Sequence, residues 1–135
     1  MNEAAPFWQD GDALLWRFGG ETGRIEAWGP NALRVRARPG HEIVAPHVSA
    51  LLDAAPSAPR VEIGETSASL TNGTIRAEAT IRDRYGAEVK REVTLRFVNA
   101  ETGAELLAET RSHFAGPRPR NFKALASSSW KLEAT

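Results

Sequence analysis

Hydrophobic and polar residues alternate along most of this chain with a period of two. The clearest runs carry an apolar side chain at every second position and span residues 13–18, 33–38, 75–82 and 93–98. Because successive side chains of a β-strand point to opposite faces, each run predicts a strand with one buried and one solvent-facing side. Shorter strands are predicted at residues 24–28, 60–63, 67–70, 105–109 and 130–134.

Turn-forming residues separate these runs. Asn72-Gly73 lies between two alternating segments and predicts a hairpin with a type I′ turn, because both residues tolerate a positive φ. Further turns are predicted at residues 21–23, 83–86 and 99–103. A helical pattern occurs at residues 48–53, where it is barely longer than one turn. The chain therefore predicts an all-β fold, an antiparallel β-sandwich forming one domain over residues 1–135.

Length and charge exclude several classes of protein. The chain has 135 residues, no cysteine, and 17 basic residues against 17 acidic ones. Zero net charge argues against nucleic acid or an anionic membrane as a partner, since both require a basic excess. The sequence shows neither a signal peptide nor an apolar run of the ~20 residues that cross a bilayer, so we expect a cytoplasmic location. A (β/α)₈ barrel enzyme would need about 250 residues.

The carboxylates do not form a recognisable catalytic pair. Acid–base catalysis needs two carboxylates that converge on one bond with separated pKa values. Asp10 and Asp12 are the most closely spaced candidates in the N-terminal stretch, and their position favours an exposed polar turn. Glu26, Glu78 and Glu133 fall at outward-facing strand positions, where a charge is ordinarily a solvated surface group.

The histidines likewise lack a catalytic or metal-binding context. His41 and His47 flank a short apolar pair, and His113 follows Arg111 and Ser112. The sequence contains no nucleophile elbow, no phosphate-binding glycine loop and no metal-ligand spacing. We therefore predict no catalytic residue, no metal site and no cofactor in this chain.

The four tryptophans are the remaining candidates for a binding role. Trp16 and Trp130 alternate with apolar neighbours, which favours burial of both in the core. Trp28 has the opposite parity to Ile25 and could be exposed. Because sugars stack on exposed indole faces, Trp28 is the candidate carbohydrate-binding residue.

Four segments together resemble a known family. Residues 24–36, RIEAWGPNALRVR, resemble the opening strands of the N-terminal domain of glycoside hydrolase family 31, the α-glucosidase and α-xylosidase family. Three further segments resemble parts of that domain in the same order: residues 67–78 (SASLTNGTIRAE), 105–109 (ELLAE) and 120–135. The resemblance covers essentially the whole chain.

The resemblance implies a fold and a role. The family's N-terminal domain is a galactose-mutarotase-like β-sandwich, and its two catalytic aspartates lie on a central barrel that this chain lacks. The resemblance therefore implies an accessory domain, incomplete at its C-terminal end, that packs on the catalytic barrel of a retaining α-glycosidase. Such a domain would help to shape the pocket mouth and would meet the carbohydrate substrate only through the parent enzyme.

Two further expectations concern partners. If the family sandwich continues beyond residue 135, the strand predicted at residues 130–134 lacks later neighbours and presents an unpaired edge. Because zero net charge supplies little repulsion, self-association through this C-terminal edge strand is expected. The alternative interpretation is a free-standing β-sandwich that shares only the fold and binds carbohydrate or protein.

Overall fold

A computed structural model describes residues 5–40, 57–84, 90–109, 121–124 and 130–133. Within these residues the chain forms strands and no helix; the helix predicted at residues 48–53 lies outside them. The strands are β1 Phe7–Asp10, β2 Ala13–Phe18, β3 Glu21–Ala27, β4 Leu33–Pro39, β5 Arg60–Ile63, β6 Ser67–Asn72, β7 Ile75–Arg84, β8 Lys90–Asn99, β9 Glu105–Ala108, β10 Asn121–Ala124 and β11 Trp130–Glu133.

The described strands form two main antiparallel sheets. The first sheet has the order β1-β2-β3-β4 and the second the order β5-β6-β7-β8-β9, so each strand pairs with its neighbours along the chain. Strands β10 and β11 pair with each other as a separate two-stranded sheet. The all-β, antiparallel prediction is confirmed.

The core lies between the two main sheets, as in a β-sandwich. β2 and β3 of the first sheet contact β6 of the second, and β1 contacts β5. Both sheets contribute buried side chains to one hydrophobic cluster, which includes Phe7, Leu14, Trp16, Ile25, Leu70, Ala77, Ala79 and Leu95. Burial of each large apolar side chain contributes about 1.5–3 kcal/mol to folding. The period of two therefore predicted which strand faces meet.

Trp16 is fully buried, and its position depends on a glycine on the neighbouring strand. Trp16 pairs with Gly23 across the β2–β3 ladder. A Cβ atom at Gly23 would overlap the Trp16 indole ring. Gly23 thus provides the space that the largest core side chain of the first sheet occupies.

Two turns from different sheets dock on one another. The β3–β4 turn (residues 28–32) and the β6–β7 turn (residues 73 and 74) meet through two asparagines. Asn72 is buried and its Nδ2 donates to the carbonyls of Gly29 and Ala32, at 2.6 and 2.8 Å. In the opposite direction, Oδ1 of Asn31 accepts from the backbone N–H of Thr74 at 2.9 Å.

Several predicted boundaries are wrong. The turn predicted at residues 21–23 lies inside β3, because the chain already turns at Gly19 and Gly20, which have φ of 62° and 79°. The Asn72-Gly73 turn is displaced by one position, since Asn72 pairs with Ile75 and leaves Gly73 and Thr74 as the connecting residues. Strands β1 and β10 are additional to the prediction.

The expected separation of buried and wet faces also fails at several positions, including Thr94 and Val98, which have the outward parity of β8 but are buried. Ala13 and Leu15 occupy the outward parity of β2, yet both are buried. Val35 has the inward parity of β4 but is 36% exposed, since β4 is the edge of the first sheet. The outer face of the first sheet is therefore not a plain solvated surface.

Candidate functional site

The predicted binding residue Trp28 directly follows β3 and is half-buried. Its backbone N–H donates to the carbonyl of Ala32 at 2.9 Å, which closes the β3–β4 turn. The guanidinium carbon of Arg34 lies 4.7 Å from the centroid of the Trp28 ring. A guanidinium at this distance is attracted to the indole face. One face of Trp28 is therefore engaged by Arg34.

Glu26 lies beside this pair and binds three arginines. Its carboxylate oxygens lie 3.3 Å from Arg24 Nε, 3.8 Å from Arg34 Nη1 and 3.0 Å from Arg36 Nη2. The antiparallel register brings these side chains together, because Arg24 pairs with Arg36 and Glu26 with Arg34 on the same face. The Glu26 side chain is only 19% exposed. The prediction of an ordinary solvated charge at Glu26 is therefore wrong.

Two further arginines extend the basic surface along the sheet. Arg17 pairs with Thr22, which pairs with Arg38, so both arginines share the outward parity of Arg24 and Arg36. The guanidinium carbon of Arg17 lies 5.5 Å from the centroid of the Trp8 ring. We call the surface formed by these five side chains the arginine face: Arg17, Arg24, Arg34, Arg36 and Arg38.

The outer faces of the two sheets differ in charge balance. The described outward positions of the first sheet hold the five arginines of the arginine face against two carboxylates, Asp10 and Glu26. Among the outward positions of the second sheet whose side chains the structure describes, four arginines (Arg60, Arg76, Arg82 and Arg96) are balanced by four glutamates (Glu62, Glu78, Glu92 and Glu105). The arginine face is thus a local basic surface on a chain without net charge.

On the second sheet the charges form a ladder across strands. Arg96 binds Glu78 at 3.0 Å and Glu105 at 2.8 Å, and Glu78 also binds Arg76 at 3.2 Å. The hydrogen bond to Glu105 raises the pKa of the Arg96 guanidinium above its ordinary value. Such alternating pairs between partly exposed groups stabilise the sheet modestly and point to no ligand.

A polar cleft of about 190 Å³ opens at the end of the arginine face. Asp12, Arg24, Glu26 and Ser57 provide its polar lining, and Ala13, Ala27 and Pro59 provide the apolar part. Hydroxyl groups suit such a lining, because carboxylates accept and a guanidinium donates hydrogen bonds. The cleft is smaller than the 300–1,000 Å³ typical of pockets that enclose a ligand.

The remaining predicted residues are placed as follows. Asp10 forms an ion pair with Arg24 at 3.1 Å, and Asp12 lines the cleft. The positions of His41, His47 and His113 lie outside the described residues. Over the residues that the structure does describe, no group of three or more histidine, aspartate or glutamate side chains could hold a metal ion.

Sequence reasoning missed the convergence on Glu26. The signal was present as Arg24 and Glu26 on one strand and Arg34 and Arg36 on the next. These residues meet only once the register of β3 on β4 is known, and that register depends on the length of the turn at residues 28–32.

Comparisons with known proteins identify no relative. Neither a scan against protein-family models nor searches of curated proteins and solved structures found a significant match. Among the described residues, no helix is long and apolar enough to cross a membrane.

Proposed function

We propose that this chain is an accessory, non-catalytic domain of an α-glycosidase resembling glycoside hydrolase family 31. In this proposal the β-sandwich packs on the catalytic barrel of the parent enzyme and helps to shape the mouth of its pocket. The substrate of the parent is a terminal α-glucoside or α-xyloside, which is hydrolysed with retention.

One spatial relationship carries the proposal. Two segments of the resemblance, residues 24–36 and 67–78, fold as hairpins whose turns dock on each other through Asn31 and Asn72. Segments that resemble one domain and are distant in sequence thus meet in one structural unit. This contact supports the interpretation that both segments match one and the same domain, and that the resemblance is more than a set of unrelated local similarities.

The arginine face provides a surface suited to packing against another domain. Arg24, Arg34 and Arg36 are held against Glu26 and are largely covered, so their guanidinium groups are already ordered before any contact forms. An ordered polar surface loses less side-chain entropy on association than a free one. Contacts between domains of one chain are commonly polar in this way.

The polar cleft favours a second candidate function, a free-standing carbohydrate-binding module. Its lining combines Asp12, Glu26 and Arg24 with the apolar surfaces of Ala13 and Pro59. A titration with glucose or xylose, followed by NMR shifts of these residues, tests this candidate. Trp28→Ala distinguishes sugar binding in the cleft from sugar binding on Trp28, because binding in the cleft alone would persist in this variant.

The reading frame that encodes the chain provides the simplest test of the proposal. We expect it to continue into a barrel domain that carries two aspartate motifs, whereas a stop codon directly after Thr135 would favour the free-standing module. The isolated chain should not hydrolyse nitrophenyl α-glucoside or α-xyloside above background. Turnover that survives repurification and disappears in Asp10→Asn or Asp12→Asn would contradict the accessory role.

A further inference from the structure

The Asn72-Gly73 dipeptide combines a reactive sequence with a structural contact. In such a dipeptide the backbone nitrogen of the second residue can attack the side-chain carbonyl carbon of the asparagine. A bond then forms between Gly73 N and Asn72 Cγ, and the bond from Cγ to Nδ2 breaks. The departing ammonia carries away the amide proton of Gly73, and water opens the resulting succinimide to aspartate or isoaspartate. Glycine favours the attack, because it has no Cβ to crowd its nitrogen.

The folded chain restrains the groups that this reaction requires. Asn72 is 2% exposed, and its leaving nitrogen Nδ2 is held by the carbonyls of Gly29 and Ala32. Its backbone is fixed by pairing with Ile75 at the end of the β6–β7 ladder. The Asn72 side chain must leave both carbonyls before the succinimide can form, so the two turns must first separate.

Asn31 restrains the other reacting residue. A Cβ atom at Gly73 would collide with Asn31 Oδ1 and with the carbonyl of Pro30, so the β3–β4 turn lies directly against the attacking residue. Oδ1 of Asn31 also accepts from Thr74 Oγ1 at 3.2 Å, in addition to the Thr74 N–H. The β3–β4 turn thus holds both sides of the reactive dipeptide.

The product cannot restore this contact. A carboxylate at position 72 has no hydrogen to donate and would face two carbonyl oxygens in a buried position. Burial of an unpaired charge is costly, so the modified β6–β7 turn would remain undocked. The covalent change is irreversible, and the two turns cannot dock again once it has occurred.

We propose that Asn72 is a self-modification site, at which deamidation is gated by docking of the β6–β7 turn on the β3–β4 turn and permanently separates the two turns. The proposal concerns the fold itself and is independent of the proposed accessory role. It predicts that the deamidation rate reports how often the two turns separate.

The test is peptide mapping by mass spectrometry of the whole chain during incubation at mildly alkaline pH. Deamidation of Asn72 in the folded chain should be at least about tenfold slower than in a peptide spanning residues 69–76, because a hydrogen-bonded site must open first. Asn31→Ala should accelerate the reaction, since it removes the acceptor for Thr74. Asn31→Asp retains an oxygen acceptor and should keep the rate close to that of the unsubstituted chain.

A core variant distinguishes local separation of the turns from unfolding of the whole domain. Ile25→Val lowers global stability at a fully buried position of β3 that takes part in none of the hydrogen bonds between the two turns. We expect it to leave the Asn72 deamidation rate unchanged under native conditions. If the Asn72 deamidation rate rises in both Ile25→Val and Asn31→Ala in proportion to the loss of global stability, gating by the turns is overturned. Equal rates in the folded chain and the peptide would overturn it as well.

Discussion

Asn72 and Asn31 lie on hairpins of different sheets, and each binds the backbone of the other's turn. Asn72 donates from Nδ2 to Gly29 and Ala32, while Asn31 accepts from the N–H of Thr74. The two sheets of the sandwich are thus joined at one end by directional hydrogen bonds as well as by the apolar core. Directional contacts of this kind fix the relative position of two sheets more strictly than apolar packing does.

Asn72→Ala should lower the free energy of unfolding by about 1–3 kcal/mol, because the buried carbonyl of Gly29 loses the Asn72 donor and that of Ala32 keeps only the N–H of Trp28. Urea denaturation followed by fluorescence measures the change. Ser69→Ala is the matched control on the same strand, since Ser69 has the outward parity and is only half-buried. An equal effect of the two substitutions would show that the contact between the turns contributes little.

Gly73→Ala should destabilise the chain more than Gly103→Ala. Both glycines have a positive φ, 61° and 76°, so each alanine incurs backbone strain of about 1–3 kcal/mol. A Cβ at Gly73 additionally collides with the β3–β4 turn, whereas a Cβ at Gly103 has open space around it. The difference between their denaturation midpoints therefore measures the steric fit of the two turns. Identical midpoints would contradict the docked arrangement.

Glu26→Gln should reduce stability by about 1–2 kcal/mol, because the charge-assisted contacts of one carboxylate with three guanidinium groups weaken together. The Arg60–Glu62 pair provides the control. Its side chains are 72% and 68% exposed, so Glu62→Gln should change stability by less than about 0.5 kcal/mol. Thermal unfolding of both variants at low and high salt measures the effect. A loss of stability that does not depend on salt, or that is equal in Glu26→Gln and Glu62→Gln, would exclude an organising role for Glu26.

Much of the sandwich followed from the period of two, because alternation directly encodes which side of a strand is buried. Strand β5 at Arg60–Ile63 was predicted with its observed bounds. β1 was missed because it contains only two apolar residues, Phe7 and Trp8, before the Asp10-Gly11-Asp12 stretch. An apolar pattern of this length does not distinguish a strand from a turn.

The candidate site was harder to predict than the fold. Trp28 was identified from its parity, but its partner Arg34 lies across the β3–β4 turn. The cluster around Glu26 likewise combines residues of β3 and β4, and the contact of Asn72 with Gly29 joins positions 43 residues apart. Pairwise register and the packing of one sheet on another determine such contacts, and local sequence patterns do not encode them.

The isolated chain is predicted to self-associate at high concentration. The sequence analysis predicts an unpaired edge at the strand of residues 130–134, and in the structure β11 Trp130–Glu133 pairs with β10 on one side. The structure adds a second apolar edge at β9, where Leu106 and Leu107 are 57% and 64% exposed. Edge strands with exposed apolar residues promote pairing between chains.

Sedimentation velocity over a range of concentrations tests this association. Leu107→Lys should weaken association if the chains pair through β9. If the substitution leaves association unchanged, the C-terminal strand is the predicted contact. A strictly monomeric, cooperatively folded chain at high concentration would contradict the prediction and favour a free-standing module.

The most direct test of the accessory-domain account is hydrolysis of nitrophenyl α-glucoside and α-xyloside by the complete product of the gene, with the first-formed anomer of the sugar identified by NMR. The account predicts that the complete protein releases the α-anomer first, which is retention, and that the 135-residue chain alone releases none. A complete gene product without α-glycosidase activity, or one that releases the β-anomer first, would contradict the account.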